Sequence, residues 1–491
     1  MGVGKLTDQS SINKAEPWVI ADKMLTSDKQ LNLCRDFHLA TLRDTKEIFW
    51  YDHLAGIYKP NGEVLIEEYC KKEIPSCSTH FRNEVINHIK ILTYRDRSVF
   101  DSNPTHIVLL NGVFDLQSDQ LLEHSAEDPK RIQLPVTYDA TARCPNFLKS
   151  LLEILPDQQE RTVVLEEMAS ILLRTSAFQK AYMWVGEGSN GKSTLHKVIH
   201  ALLGKENVSE ISIHSLVTNR FAPAQLDGKL ANIFSDISNT ELTQTGMFKT
   251  LVSGDPIDVE RKNKNFYRME SFCKMFYSCN QFPEVFDQTD AFFRRWVLTE
   301  FTEKFEEKND NRNLINELTT PEELSGILNL LIPIARALKD RGYNFSKSAT
   351  TEQVRREWGE RADPVNAFAR DCLIVDVTGH APKHETYNAY IKWCKGKNFI
   401  PKGIQKFNAK LQANLKVVED TIKIEAKATK VWKGVRMNSS VTKVTKVTTL
   451  LSHNQKNSNK SGIRVTEPVT SVTSVTNTNE GLDSEIGTRD T

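Results

Sequence analysis

At 491 residues the chain exceeds what one hydrophobic core organises, so two to four domains are expected. Apolar residues make up 39% and charged residues 26%, the balance of an ordinary soluble globular protein, and the net charge of +1 hides an uneven distribution along the chain. Cys34, Cys70, Cys77, Cys144, Cys273, Cys279, Cys372 and Cys394 form no C-x-x-C pair, and Cys70, Cys77 and His80 fit no common zinc spacing, so buried free thiols in a reducing cytosol are expected.

The N-terminus has no basic stretch followed by an apolar one, so no signal peptide is read there. The longest apolar stretch, Ile327 to Leu338, is broken by Asn329, Pro333 and Arg336 and is shorter than the roughly 20 residues that cross a bilayer. A cytoplasmic protein with no membrane partner is expected.

Residues 1–150 mix short strand-like and helix-like stretches, as in an α+β domain. Ile48–Tyr51 and the stretch from Ile57 to Gly62 read as two strands joined by turns, and Ile107–Leu116 as a strand pair broken at Asn111-Gly112. The pattern changes over residues 151–345. Arg161–Arg174 repeats apolar residues at helical spacing, and apolar runs at Ala181–Val185, Leu230–Phe234 and Phe272–Ser278 each end near Gly, Asp or Asn. Strands alternating with helices predict a mostly parallel sheet flanked by helices.

Residues 365–437 read as a small separate domain, with 13 Lys or Arg against four acids between Lys383 and Arg436. Glu385–Lys397 and Ile404–Leu415 carry helical periodicity around a Pro401-Lys402-Gly403 turn, and a Lys-rich β-like stretch, Thr421–Val435, follows. Two helices and a basic hairpin fit a winged helix–turn–helix, with Lys406 and Lys410 on one face of the helix that enters duplex DNA; a solvated basic face is the alternative. Residues 438–491 repeat Val, Thr, Ser and Lys with few aromatics and read as a disordered tail.

Gly186-Glu187-Gly188-Ser189-Asn190-Gly191-Lys192-Ser193 matches G-x-x-x-x-G-K-[ST], with an apolar strand before it and a helix-like run from Thr194 after it. Glycines let the backbone wrap phosphates with its N–H groups pointing inward. Lys192 would reach the β- and γ-phosphates of ATP, Ser193 would hold Mg²⁺, and the helix would add its positive end. The second apolar strand ends at Ser235-Asp236, where a carboxylate beside the phosphate loop would complete the Mg²⁺ site or, alternatively, cap the next turn. The third ends at Asn280, whose amide can bond the γ-phosphate or the attacking water. Arg294-Arg295 then opens another apolar strand, and such a cation presented to a neighbour's γ-phosphate contributes about 10³–10⁵ in rate.

This ordered set, with Val252-Ser253-Gly254-Asp255-Pro256-Ile257 between the Asp and Asn motifs, resembles superfamily 3 helicases, in the branch that supplies the helicase part of phage and plasmid primase–helicases. Leu110–Leu116 and Leu134–Ala140 look like that family's lead-in domain, so the resemblance covers residues from about 30 to 437. It implies an AAA+-like P-loop core with a C-terminal winged-helix domain, a homohexameric ring with ATP between subunits, and Arg295 as the trans-acting finger, with Arg294 second. Many members carry two acids where this chain has Ser235-Asp236, which leaves the water-activating base open, Glu241 being a weak candidate.

The resemblance also makes the segment around Glu260–Phe266 a pore-lining hairpin. Independently, Arg261, Lys262 and Lys264 beside Phe266 offer phosphate attraction and a stacking surface for single-stranded DNA, while a charged turn without a ligand is the bland reading. No Asp-x-Asp pair occurs in the chain, so a separate primase or other replication proteins are expected as partners. The expected function is an ATP-dependent replicative DNA helicase of a virus or plasmid. Alternatives are a DNA packaging or remodelling ATPase, and an origin-binding protein with a regulatory nucleotide site.

Overall fold

The computed structural model describes residues 16–25 and 38–438, apart from 239, 288, 306–310, 312, 347, 348, 350, 398, 425 and 426. The tail read as disordered lies almost wholly outside the described residues. These divide into two compact units, one running up to Ala367 and including Trp393–Lys406, the other holding Phe368–Lys392 and the chain from Phe407.

The first unit opens with a helix, Pro17–Leu25, and four strands: β1 (Leu39–Leu42), β2 (Ile48–Asp52), β3 (Ile57–Lys59) and β4 (Tyr94–Arg95), ordered β3-β2-β1-β4. The turn between β2 and β3 is set locally. The Asp52 carboxylate accepts from the N–H groups of Leu54 and Ala55 at 2.9 and 3.2 Å and from Lys59 at 2.6 Å, and Gly56 takes a φ of 73°. A meander follows: β5 (His106–Leu109), β6 (Gly112–Asp115) and β7 (Gln120–Leu122). Leu109 pairs with Gly112, so the turn residues are Leu110-Asn111, one position earlier than the sequence suggested. Asn111 is occupied elsewhere, exchanging 2.9 Å hydrogen bonds with the backbone of Tyr138.

The central sheet comprises β8 (Ala181–Val185), β9 (Val208–Ser209), β10 (Ala231–Phe234), β13 (Lys274–Cys279) and β14 (Trp296–Glu300); between β10 and β13 in sequence lie the hairpin strands β11 (Ile257–Val259) and β12 (Tyr267–Met269). Its order is β14-β8-β13-β10-β9 and every pairing in it is parallel. Both faces are covered, which is why the strands read as unbroken apolar runs. Tyr182, Trp184 and Phe276 enter one core with Leu195, Val198 and Leu331, whereas Met183, Met275 and Tyr277 enter another with Phe248, Trp296 and Trp358.

The helix expected over 161–174 spans Gln158–Ser170, because the Asp157 carboxylate caps its start by accepting from Glu160 N–H at 2.9 Å. Its predicted last turn is diverted. Arg174 is buried and donates to the carbonyls of Asn103 and, at 2.6 Å, His106, tying the meander to the central sheet.

The second unit contains β15 (Leu373–Pro382), β16 (Val418–Ile424) and β17 (Lys427–Met437) in an antiparallel sheet ordered β15-β17-β16, with Phe368, Tyr390, Phe407, Trp432 and Val435 buried. Thr421–Val435, read as a basic hairpin, falls on the antiparallel strands β16 and β17. β15 was not foreseen, since its register with β17 shifts between Val375 and His380 and its middle lacks alternation. Among the described residues, no helix is long and apolar enough to cross a membrane. The seven described cysteines are buried.

Candidate nucleotide site

The glycine-rich loop joins β8 to the helix Lys192–Leu203. Two backbone positions need unusual freedom. Gly191 has φ 85°, and a Cβ on Gly186 would lie 2.2 Å from the Asn190 side chain and 2.4 Å from the Phe301 carbonyl. Gly188 has open space where a Cβ would be. The loop is braced by the segment that follows β14, through Phe305 N–H to the Ser189 carbonyl at 2.8 Å and Asn190 to the Phe301 carbonyl at 3.3 Å.

Lys192 is buried and donates to the carbonyl of Gly186 at 2.6 Å, the side-chain oxygen of Asn190 at 3.0 Å and the carbonyl of Glu187 at 3.4 Å. Burial pulls its pKa down to about 8 against the weaker opposing pull of Cys279 and Asp236. Gly188, Ser189, Asn190, Gly191, Lys192, Ser193 and Thr194 line a cavity of about 320 Å³ together with Ser235, Asp236, Ser278, Cys279 and Asn280. Motifs as far apart as Gly188 and Asn280 therefore meet in one place, because β8, β13 and β10 are adjacent and parallel and present their C-terminal ends together. Gly186 and Glu187 stand outside the lining and serve through their carbonyls.

Asp236 takes a φ of 65°, and its N–H donates to Ser278 at 3.3 Å. Asp tolerates this left-handed conformation better than most residues. It is the one carboxylate among the lining residues and is exposed to the cavity, as is Asn280. Glu241 is exposed and does not line it.

The arginine pair splits. Arg294 is exposed, and Lys180 donates to its backbone carbonyl. Arg295, the residue preferred from sequence for an outward role, is buried: its guanidinium donates to the Ala291 carbonyl and to Ser253 at 2.6 Å. Both precede β14, next to Ala181 at the start of β8, whereas the loop follows the end of β8. Five residues at about 3.3 Å each put roughly 16 Å between them, more than an arginine side chain spans.

The segment Glu260–Phe266 is the tip of the β11–β12 hairpin. Lys262 and Lys264 are exposed there, and Phe266 is 66% exposed. Arg261 is engaged instead, pairing with Asp227 at 3.3 Å and Glu47 at 3.5 Å and lying over the Tyr267 ring at 5.4 Å. Arg97 shares Asp227 at 2.9 Å. A larger cavity of about 760 Å³ beside this network is lined by Arg97, Arg131 and Arg261. These three and Lys59, which also lines it, are all ion-paired, so among the described residues it offers an anion no unopposed cation. In the recognition-helix candidate, Ile404–Leu415, which enters the second unit at Phe407, Lys406 is exposed and Lys410 half-buried.

Sequence reasoning missed the groups behind the cavity. Ser235 meets His196 Nδ1 at 2.8 Å, His196 stacks on Trp184 with ring centroids 4.5 Å apart, and the Trp184 indole N–H donates to Glu167 at 2.6 Å. His196 follows Lys192 by four residues and so shares its helix face. That spacing was readable; its partners on other elements were not.

Comparison with known proteins matches three family models: "D5 N terminal like" over residues 29–156, "Family of unknown function (DUF5906)" over 184–295, and "Poxvirus D5 protein-like" over 360–449. Similar proteins include "Putative helicase L207/L206" of Acanthamoeba polyphaga mimivirus, 24% identical over 61% of this chain and 34% of that protein. "Putative helicase 121R" of Invertebrate iridescent virus 3 is 24% identical over 46% of this chain and 26% of that protein. "Putative primase C962R" of African swine fever virus is 20% identical over 87% of this chain and 48% of that protein. The chain thus spans a quarter to a half of the length of these relatives. Among solved structures, the apo C-terminal region of NrS-1 is similar at 13% identity and TM-score 0.47, covering 86% of this chain and 100% of that one.

The fold is a mixed α/β one, and the relatives are viral proteins named as helicases and primases. These matches are consistent with the primase–helicase family, the superfamily 3 group whose motifs the chain resembles.

Proposed function

We propose that this chain is an ATP-dependent replicative DNA helicase of a virus or plasmid, translocating on single-stranded DNA as a homohexameric ring. The observation that carries this reading is the meeting of the glycine-rich loop, Asp236 and Asn280 around one cavity of about 320 Å³. Lys192 is held by weak acceptors of its own loop, which a triphosphate would displace with stronger charge-assisted bonds. Asn280 would bond the γ-phosphate or the attacking water.

Ser193 and Asp236 fit Mg²⁺, which takes hard oxygen donors and keeps waters and substrate phosphates as its remaining ligands. Bound there, Mg²⁺ would neutralise charge on the β- and γ-phosphates. Arg294 lies too far from its own chain's loop to act there, so its exposed guanidinium suits an ATP held by the adjoining subunit. The buried Arg295 would fix the turn that presents it. Lys262, Lys264 and Phe266 at the hairpin tip supply cations and an aromatic face for single-stranded DNA, and the Lys406–Lys410 helix would meet duplex DNA. A separate primase and other replication proteins would complete the machinery.

ATP turnover with and without single-stranded DNA, measured beside the particle mass with nucleotide, tests this. Turnover stimulated by DNA in a ring-sized particle is expected. A chain that stays monomeric with every nucleotide and hydrolyses no ATP overturns it.

A further inference from the structure

Asp236 is the one carboxylate lining the cavity, and under the reading above, on which this inference rests, it is committed to the metal. The other polar side chains lining the cavity are the Lys192 ammonium, the Asn190 and Asn280 amides, the Cys279 thiol and five hydroxyls. One of these, Ser235, is held by a buried array. Its Oγ lies 2.8 Å from His196 Nδ1, the His196 ring stacks on Trp184 at an interplanar angle of 16°, and Trp184 is fixed through its indole N–H to the buried Glu167 carboxyl. Three elements thus fix one hydroxyl: the helix after the loop, β8, and the helix Gln158–Ser170.

The direction of the Ser235–His196 bond follows from the other ring nitrogen. His196 Nε2 is buried with no hydrogen-bond partner among the described residues. An orphaned buried N–H is costlier than an orphaned lone pair, so the proton belongs on Nδ1. Burial, with His200 and Lys192 nearby, drives the His196 pKa down to about 3, so the ring is neutral and carries that single proton. Nδ1–H then donates to Ser235 Oγ, which leaves the Ser235 O–H free to donate into the cavity.

We propose that Ser235 is a catalytic hydrogen-bond donor to the γ-phosphoryl group, and that His196 is the residue that positions it. In hydrolysis the water oxygen bonds to the γ-phosphorus as the bond to the bridging oxygen breaks. ADP leaves with that electron pair, and the water proton passes to the phosphate product. Ser235 keeps its own proton and stabilises charge on an equatorial oxygen, as a preoriented donor does without reorganisation.

The test is steady-state ATP turnover by the full chain with single-stranded DNA, alongside ¹⁵N NMR of the wild-type histidines. Ser235→Ala is expected to lower kcat about 10²–10³-fold with KM for ATP within about twofold, and Ser235→Thr to recover most of it. His196→Phe, which keeps the ring stack but has no N–H, should lose a similar factor, and the double variant should be no worse than either alone. His196 should resonate as the Nδ1–H tautomer.

A Ser235→Ala kcat within twofold of wild type, losses that multiply in the double variant, or an Nε2–H tautomer each overturn the proposal. The NMR result decides should the substitutions disturb folding. Wild-type turnover that Lys192→Ala abolishes but Ser235→Ala spares sinks only this assignment. No wild-type turnover at all sinks the ATPase reading as well.

Discussion

The Lys192 ammonium donates to the carbonyl of Gly186, six residues earlier, at 2.6 Å, so the loop is closed on its own lysine. Removing that lysine takes away a buried cation without cutting into a hydrophobic cluster. Lys192→Ala is therefore expected to keep its thermal transition close to wild type. A charge-assisted hydrogen bond contributes about 1.5–3 kcal/mol, so ATP affinity should fall at least about tenfold. Titration of a fluorescent ATP analogue checks this, and equal affinities for both proteins would refute the loop's assignment.

Arg294 and Arg295 should separate cleanly in mutants. Arg294→Ala exposes nothing new and should bind ATP normally, yet lose turnover by about 10³-fold or more if it stabilises a neighbour's transition state. Mixing it with Lys192→Ala subunits should restore activity, because some interfaces then pair an intact loop with an intact arginine. Arg295→Ala instead leaves Ser253 and the Ala291 carbonyl without their donor and should lower the melting temperature. Absence of rescue across all mixing ratios would exclude an arginine acting between subunits.

This split shows where the sequence stops being informative. The loop, Asp236 and Asn280 were legible because each sits at the end of a short apolar run, and parallel strands bring such ends together. Burial was not legible for two adjacent arginines, since it depends on Ser253, 42 residues away, accepting a bond from one of them. The same applies to Arg261. Its sequence neighbours Lys262 and Lys264 suggested one basic patch, yet Asp227 and Glu47 claim it from distant elements. β15 escaped notice for a local reason, because a register shift interrupts the alternation that marks a strand.

The hairpin tip gives a prediction that isolates DNA coupling from hydrolysis. Lys262 and Lys264 are exposed and remote in sequence from the cavity's lining. Lys262→Ala with Lys264→Ala should leave basal ATP turnover within about twofold while abolishing its stimulation by single-stranded DNA. Loss of two phosphate contacts should also flatten the salt dependence of DNA binding by roughly 0.7 per lysine in the log–log slope. Unchanged stimulation in the double variant would remove the tip from the DNA path.

Glu167 supplies a stability prediction with a definite sign. Burial raises its pKa from 4.5 to about 8, outweighing the bonds from Trp184 and Thr299 that favour the carboxylate. The folded state therefore holds a proton that the unfolded chain has already released above pH 4.5. Stability from this group is fully present below that pH and is lost as pH rises towards about 8. Glu167→Gln can still accept from Trp184 and donate to Thr299, but it has no proton to lose. Its melting temperature should thus gain on wild type as pH rises from 5 to 9, by several degrees, since each pKa unit is worth about 1.4 kcal/mol at most. Melting curves of both proteins across that range check it. A gap between them that does not change with pH would mean the buried carboxyl stays ionised, and the bracing of Trp184 behind the nucleotide cavity would then be an ionic one.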